Sequence, residues 1–126
     1  MYSTLITLPH ASSSPASARQ LIDQIDCLRP EVAMNARLLV SELVANAVRH
    51  VPRDGEIGMH VSLVGDSLRV EVVDPGNGFV PRARTSASPL GSGWGLHLVD
   101  ELSDRWGVES TGPTRVWFEV DGAVEV

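Results

Sequence analysis

The chain has 126 residues, 43% hydrophobic and 21% charged, a size and balance that fit one globular domain over residues 1–126 and leave little room for a second. Its net charge of −6 argues against direct nucleic-acid binding and against an anionic membrane surface, and no apolar run approaches the ~20 residues of a membrane span. A single cysteine excludes a disulfide framework and a cysteine zinc site. The first residues lack the basic and apolar regions of a signal peptide, so a cytoplasmic location is expected. All the basic residues are arginines. Without lysine there is no Walker-type phosphate loop and no lysine Schiff base, so bound phosphate has to be held by backbone N–H groups and arginines.

In chain order, Tyr2 to Leu8 has strand composition and stops at Pro9. Ser14-Pro15 reads as an N-cap with proline at the first helical position. The spacing predicts a helix from there to about Leu28, with Leu21, Ile22, Ile25 and Leu28 facing inward and Cys27 packed as a small core residue. Arg29-Pro30 breaks the chain, and a second helix starts near Glu31 and stops at Pro52 and Asp54-Gly55. In it Leu39, Leu43, Val44, Ala47 and Val48 recur at helical spacing and face a core. Glu42 and Asn46 stand one turn apart on another stripe, which Arg49 and His50 extend. Alone, that stripe reads first as a solvated helix face. The alternative is a general base and a metal ligand on a rigid element.

Ile57, Met59, Val61 and Leu63 then alternate with Gly58, His60 and Ser62 in a half-buried strand, with His60 on its polar face. Gly65-Asp66 turns the chain into a returning strand with Leu68, Val70 and Val72 inward. From Asp74 to Gly95 the alternation stops and proline, glycine, serine and arginine dominate. A loop of that length in a compact domain is usually functional. A third helix from about Trp94 to Ser103 carries Leu96, Leu98, Val99 and Leu102. Trp106 to Ser110 reads as a short strand, Gly112-Pro113 as a turn, and Val116, Phe118 and Val120 as the inner face of the last strand. Trp106 and Trp117 read as packing residues. This order predicts an α/β fold, a two-layer sandwich of a mixed, mainly antiparallel sheet with helices on one face.

Two glycine-rich segments flank the long loop. Asp74-Pro75-Gly76-Asn77-Gly78 follows a strand directly, so the backbone can pass close to a planar ligand while the carboxylate accepts a hydrogen bond, for which an adenine amino group is a natural donor. Aspartate and glycine are also the commonest turn formers. Gly91-Ser92-Gly93-Trp94-Gly95 opens the third helix, where unpaired N–H groups and the helix dipole favour an anion; a plain hinge is the competing reading. Arg82 and Arg84 lie between the two segments and either reach phosphates as part of a lid or solvate an exposed loop.

The combination is far more specific than its parts. E-x-x-x-N at Glu42 and Asn46, D-x-G-x-G at Asp74, and G-x-G-x-G-L at Gly91 occur in this order, and the arrangement resembles the N box and the two G boxes of the GHKL ATPase superfamily. Ser41-Glu42-Leu43-Val44-Ala45-Asn46-Ala47-Val48-Arg49-His50, with Asp104-Arg105-Trp106-Gly107 and Val116-Trp117-Phe118, is similar to the anti-sigma-factor serine/threonine kinases of bacteria over essentially the whole chain. The resemblance implies a Bergerat-type ATP-binding fold with ATP and Mg²⁺ as ligands. It implies that Glu42 is the catalytic base and that the Asn46 amide oxygen ligates Mg²⁺. Asp74 would hold the adenine amino group, with Gly76 and Gly78 shaping the pocket. Gly91, Gly93 and Gly95 would supply the lid hinge and phosphate contacts, with Arg82 or Arg84 in the lid. The partners it implies are a sigma factor and an anti-sigma antagonist phosphorylated on serine, with a homodimer as a further assembly. In many superfamily members a threonine supports the adenine aspartate; the alignment sets Arg115 at that position, with Thr114 one place early.

Two other readings compete. A histidine-kinase-type catalytic domain would work with a helix pair carrying a phosphoacceptor histidine, a context that His10, His50, His60 and His97 lack. A non-catalytic nucleotide-binding or protein-binding regulatory module has to explain why Glu42, Asn46 and Asp74 are all intact.

Overall fold

The computed structural model describes residues 2–50, 55–74, 94–109 and 113–125. Period-two alternation builds five strands: β1 (Tyr2–Pro9), β2 (Glu56–Val64), β3 (Ser67–Asp74), β4 (Arg105–Glu109) and β5 (Thr114–Val120). They form one sheet in the order β1-β2-β3-β5-β4, and all the described pairings are antiparallel. The two-layer α/β sandwich is therefore present, in its antiparallel form. The β2–β3 hairpin turns at Gly65, whose φ of 60° lies in the left-handed region that glycine enters without steric cost.

Three helices accompany the sheet: α1 (Ser14–Asp23), α2 (Pro30–His50) and α3 (Trp94–Leu102). Ile57, Met59, Val61, Leu68, Val70, Val72, Val116 and Phe118 are buried on the helix-facing side of the sheet. They join Ile22 of α1, Leu39, Val40, Leu43 and Val44 of α2, and Leu96 and Val99 of α3 in one core. Residues of the opposite parity on β3 and β5, among them Arg69, Glu71, Trp117 and Glu119, occupy the outer face, where they are partly exposed. No described helix is long and apolar enough to cross a membrane.

Three local expectations are corrected. Helix α1 ends at Asp23 rather than near Leu28, with Gln24 as its C-cap. Ile25 and Leu28 are buried all the same. Around Leu28 the pairing is non-local: Leu28 bridges to Val124, and the amides of Arg29 and Glu125 donate to the carbonyls of Ala123 and Cys27 at 2.8 and 2.7 Å. Cys27, expected in the core, is exposed, because once the helix stops its side chain no longer follows the inward stripe. Ser13, not Ser14, occupies the N-cap position of α1. Ser14 is fully buried and its hydroxyl donates to the carbonyl of Pro9 at 2.5 Å, fastening the helix start to the end of β1.

Candidate functional site

A cleft opens between α2, α3, the end of β3 and the start of β5. Leu43, Ala47, Val72, Leu96 and Val116 make its walls apolar. Among the described residues, Asn46, Asp74 and Thr114 contribute the polar groups of its lining. Each is placed by regular structure. Asn46 follows Leu43 by three residues and precedes Ala47, so the helical period turns it toward the sheet. Asp74 continues the inward alternation of Leu68, Val70 and Val72 by one more step.

All three polar residues are buried, with Asn46 and Thr114 each 4% exposed and Asp74 2% exposed. A buried carboxylate favours N–H and O–H donors, so this floor suits ligands that bring such groups. Apolar walls beside one carboxylate and one hydroxyl suit the edge of a nucleobase. An amide oxygen is also the kind of hard donor that Mg²⁺ takes when other oxygens complete its shell. The residues present therefore fit both a purine nucleotide and its metal ion.

Asn46 and Asp74, predicted from separate motifs, are brought to the same cleft. Glu42 lies one turn before Asn46 on α2, half-buried, and is not part of the cleft lining. Next to it, Ser41 Oγ accepts a hydrogen bond from Arg19 of α1 at 2.6 Å. Gly76, Gly78, Arg82, Arg84, Gly91 and Gly93 lie outside the described residues, and Gly95 falls in the first turn of α3.

Two features of the site were not assigned from sequence. The strand register sets Thr114 directly opposite Asp74, while Arg115 opposes Val73, points to the outer face and bonds Glu71 at 2.6 Å. The alignment that put Arg115 in the threonine position is thus off by one. The signal was available: Thr114, Val116 and Phe118 share one parity, so a strand that buries Phe118 also turns Thr114 inward. The second feature is Arg49, whose Nη2 donates to Asn46 Oδ1 at 3.0 Å. The spacing of three residues on a helix makes such a contact natural.

A comparison with known families agrees with this geometry. The family model described as histidine kinase-like ATPase domain matches residues 11–119, a stretch that contains α1, α2, α3, the hairpin and nearly all of β5. With a match over most of its length and the cleft in its expected place, the chain belongs to the histidine kinase-like ATPase domain family.

Proposed function

We propose that the cleft binds ATP with Mg²⁺ and that the protein is an ATP-dependent protein serine/threonine kinase acting as an anti-sigma factor. In this reading it holds a sigma factor and phosphorylates an anti-sigma antagonist on serine. The observation that carries the nucleotide assignment is Asp74, a carboxylate buried in a cleft with apolar walls, with Thr114 opposite it. Family membership supports an ATP-binding regulatory role, and the similarity of the Glu42–Asn46 segment to anti-sigma kinases supports the finer one.

The roles follow from chemistry. Asp74 accepts the adenine amino hydrogen, and Leu43, Ala47, Leu96 and Val116 exclude water from the ring faces. Asn46 offers its amide oxygen to Mg²⁺, which when bound neutralises charge on the phosphates. Glu42 takes the proton of the acceptor hydroxyl as that oxygen bonds to the γ-phosphorus and the bond to the β,γ-bridging oxygen breaks.

Calorimetric titration with ATP and Mg²⁺ tests the cleft. Asp74→Asn removes one charged hydrogen-bonding partner and should weaken binding by roughly 10- to 150-fold while melting as the wild type does. Equal affinities would overturn the assignment. Single-turnover transfer from labelled ATP to an antagonist protein tests the chemistry. Glu42→Gln keeps size but cannot take up a proton, so transfer should fall by about 10²- to 10⁴-fold with ATP affinity nearly unchanged. Acid-stable phosphate on the product identifies serine and acid-labile phosphate identifies histidine. No transfer by the wild type would leave the non-catalytic regulatory module as the function.

A further inference from the structure

Among the described residues, four large apolar side chains are left in solvent, and two of them stand one turn apart on α2: Met34, 65% exposed, and Leu38, 43% exposed. Glu42 is the next residue in the same series. Four helical residues make one turn plus about 40° and rise about 6 Å, so Met34, Leu38 and Glu42 form a slowly winding ridge along the helix. Asn46 continues the series into the cleft, where it is buried. Turn by turn, α2 thus presents two exposed apolar side chains, a half-buried carboxylate and a buried amide. Arg37, beside the ridge, is paired with Asp23 at the end of α1, which takes up its charge. Reaction geometry says what covers this ridge. In phosphoryl transfer the attacking and leaving oxygens lie roughly in line across the phosphorus. The nucleotide lies on the Asn46 side of Glu42, so the acceptor hydroxyl reaches Glu42 from the opposite side, that of Leu38 and Met34. A protein carrying that hydroxyl has to lie against these turns of α2, and covering two exposed apolar side chains favours its binding.

We propose that Leu38 and Met34 are the docking ridge for the acceptor segment of the protein substrate, an extended stretch with apolar side chains two and four residues from its acceptor serine. The proposal rests on the reading of Glu42 as the base toward a protein hydroxyl. The spacing follows from two repeats. Successive side chains of the ridge are about 6 Å apart along α2, and alternate residues of an extended chain are about 6.6 Å apart on one face. A segment running along α2 with its serine at Glu42 therefore sets every second side chain against the ridge, first at Leu38 and then at Met34. These contacts are the same before and during transfer, so they strengthen substrate binding and leave the chemical step alone.

The experiment measures transfer from labelled ATP with Mg²⁺ to synthetic peptides that carry one central serine and either leucine or glutamine at each neighbouring position. The wild type should favour leucine at the second and fourth positions on one side of the serine and be indifferent at the first and third. Leu38→Gln should erase the preference at the second position, and Met34→Gln that at the fourth. Each should raise KM for the leucine peptide by roughly 3- to 30-fold, the range for covering part of one such side chain, with kcat unchanged. ATP affinity should hold as well, since neither residue lines the cleft. Leu38→Met, which keeps an apolar side chain of similar volume, should retain the preference. If Leu38 and Met34 are surface residues and nothing more, both glutamine variants will transfer to every peptide as the wild type does, which overturns the docking and leaves Glu42 as the base. Transfer to a whole antagonist protein but to no peptide overturns the extended segment and keeps the kinase. Transfer to neither, with ATP still bound, overturns the kinase and the docking with it.

Discussion

At the scale of single residues, the site depends on parity along a strand. Asp74 and Thr114 oppose each other across β3 and β5, both turned into the cleft, while Arg115 and Glu71 pair on the far side of the same sheet. Thr114→Val removes one hydroxyl at nearly constant volume. It should weaken ATP binding by roughly 3- to 10-fold, the range for one neutral hydrogen bond in a buried site, with little change in melting temperature. Arg115→Thr, which would matter if position 115 supported the adenine aspartate, should bind ATP as the wild type does. Calorimetry on the two variants decides which residue serves the pocket, and the reverse pattern would mean that the register is wrong. Both residues were visible in the sequence. Parity alone assigns Thr114 to the inside once Phe118 is known to be buried, whereas counting against a motif does not sense which face a residue takes. Asn46 and Asp74 were legible because each ends or interrupts a strongly periodic element. That they share one cleft was not, since it depends on how α2 packs against β3.

At the scale of elements, the sequence is most informative where periodicity is long and local. The β2–β3 hairpin and the second helix fall where alternation and the apolar stripe of Leu39, Leu43 and Val44 place them. Helix α1 shows the opposite case: Leu28 continues a helical spacing, but it lies beyond the helix and bridges to the returning C-terminal segment at Val124. A partner nearly a hundred positions away pairs with it. Packing between the consecutive strands β4 and β5 is set by their register. A Cβ built on Gly107 would lie 2.8 Å from ring atoms of Trp117, its partner across the β4–β5 ladder. The ring has a further tie, since the Arg69 guanidinium stacks 4.4 Å from its centroid. Trp117 is thus the packing residue that its alternation suggested, wedged on the outer face between a bare backbone and a cation. Gly107→Ala forces that ring aside and should destabilise the fold by about 1–3 kcal/mol, lowering the melting temperature by several degrees. Combining it with Trp117→Leu should recover part of the loss, because the smaller side chain vacates the space. A Gly107→Ala protein that melts with the wild type would show that the two residues do not meet.

For the whole molecule, the two faces of the sheet serve different ends: one is the core and the floor of the cleft, and the other carries a chain of ion pairs. On the outer face Arg69 bonds Glu119 at 2.8 Å and Arg115 bonds Glu71 at 2.6 Å. Arg105 bonds Glu119 at 2.7 Å and Asp121 at 2.6 Å, joining β4 to β5 and to the turn beyond it. Hydrogen bonds from Arg105, and then from Arg69, hold the Glu119 carboxyl below its usual range, and Arg105 does the same to Asp121. The same contacts raise the Arg105 guanidinium further above its already high value. Both carboxyls are lower in the folded protein than in the unfolded chain, so the unfolded chain binds more protons in the acid range. The stabilisation is complete above the unfolded carboxyl values near pH 4 and is lost as pH falls through the lower folded values. Neutral and alkaline changes up to the arginine range leave it intact. These groups are largely solvated, so the effect of any one pair is small and screened by salt. Melting temperatures measured from pH 7 down to pH 2.5 at low ionic strength should stay level to about pH 5 and then decline. Arg105→Gln should melt lower than the wild type at pH 7, and the two curves should converge toward pH 2.5, where the wild type has lost the same contacts by protonation. Added salt should narrow the gap at pH 7 as well. Parallel curves with a constant offset would mean that Arg105 stabilises β4 by packing its stem rather than through its charge.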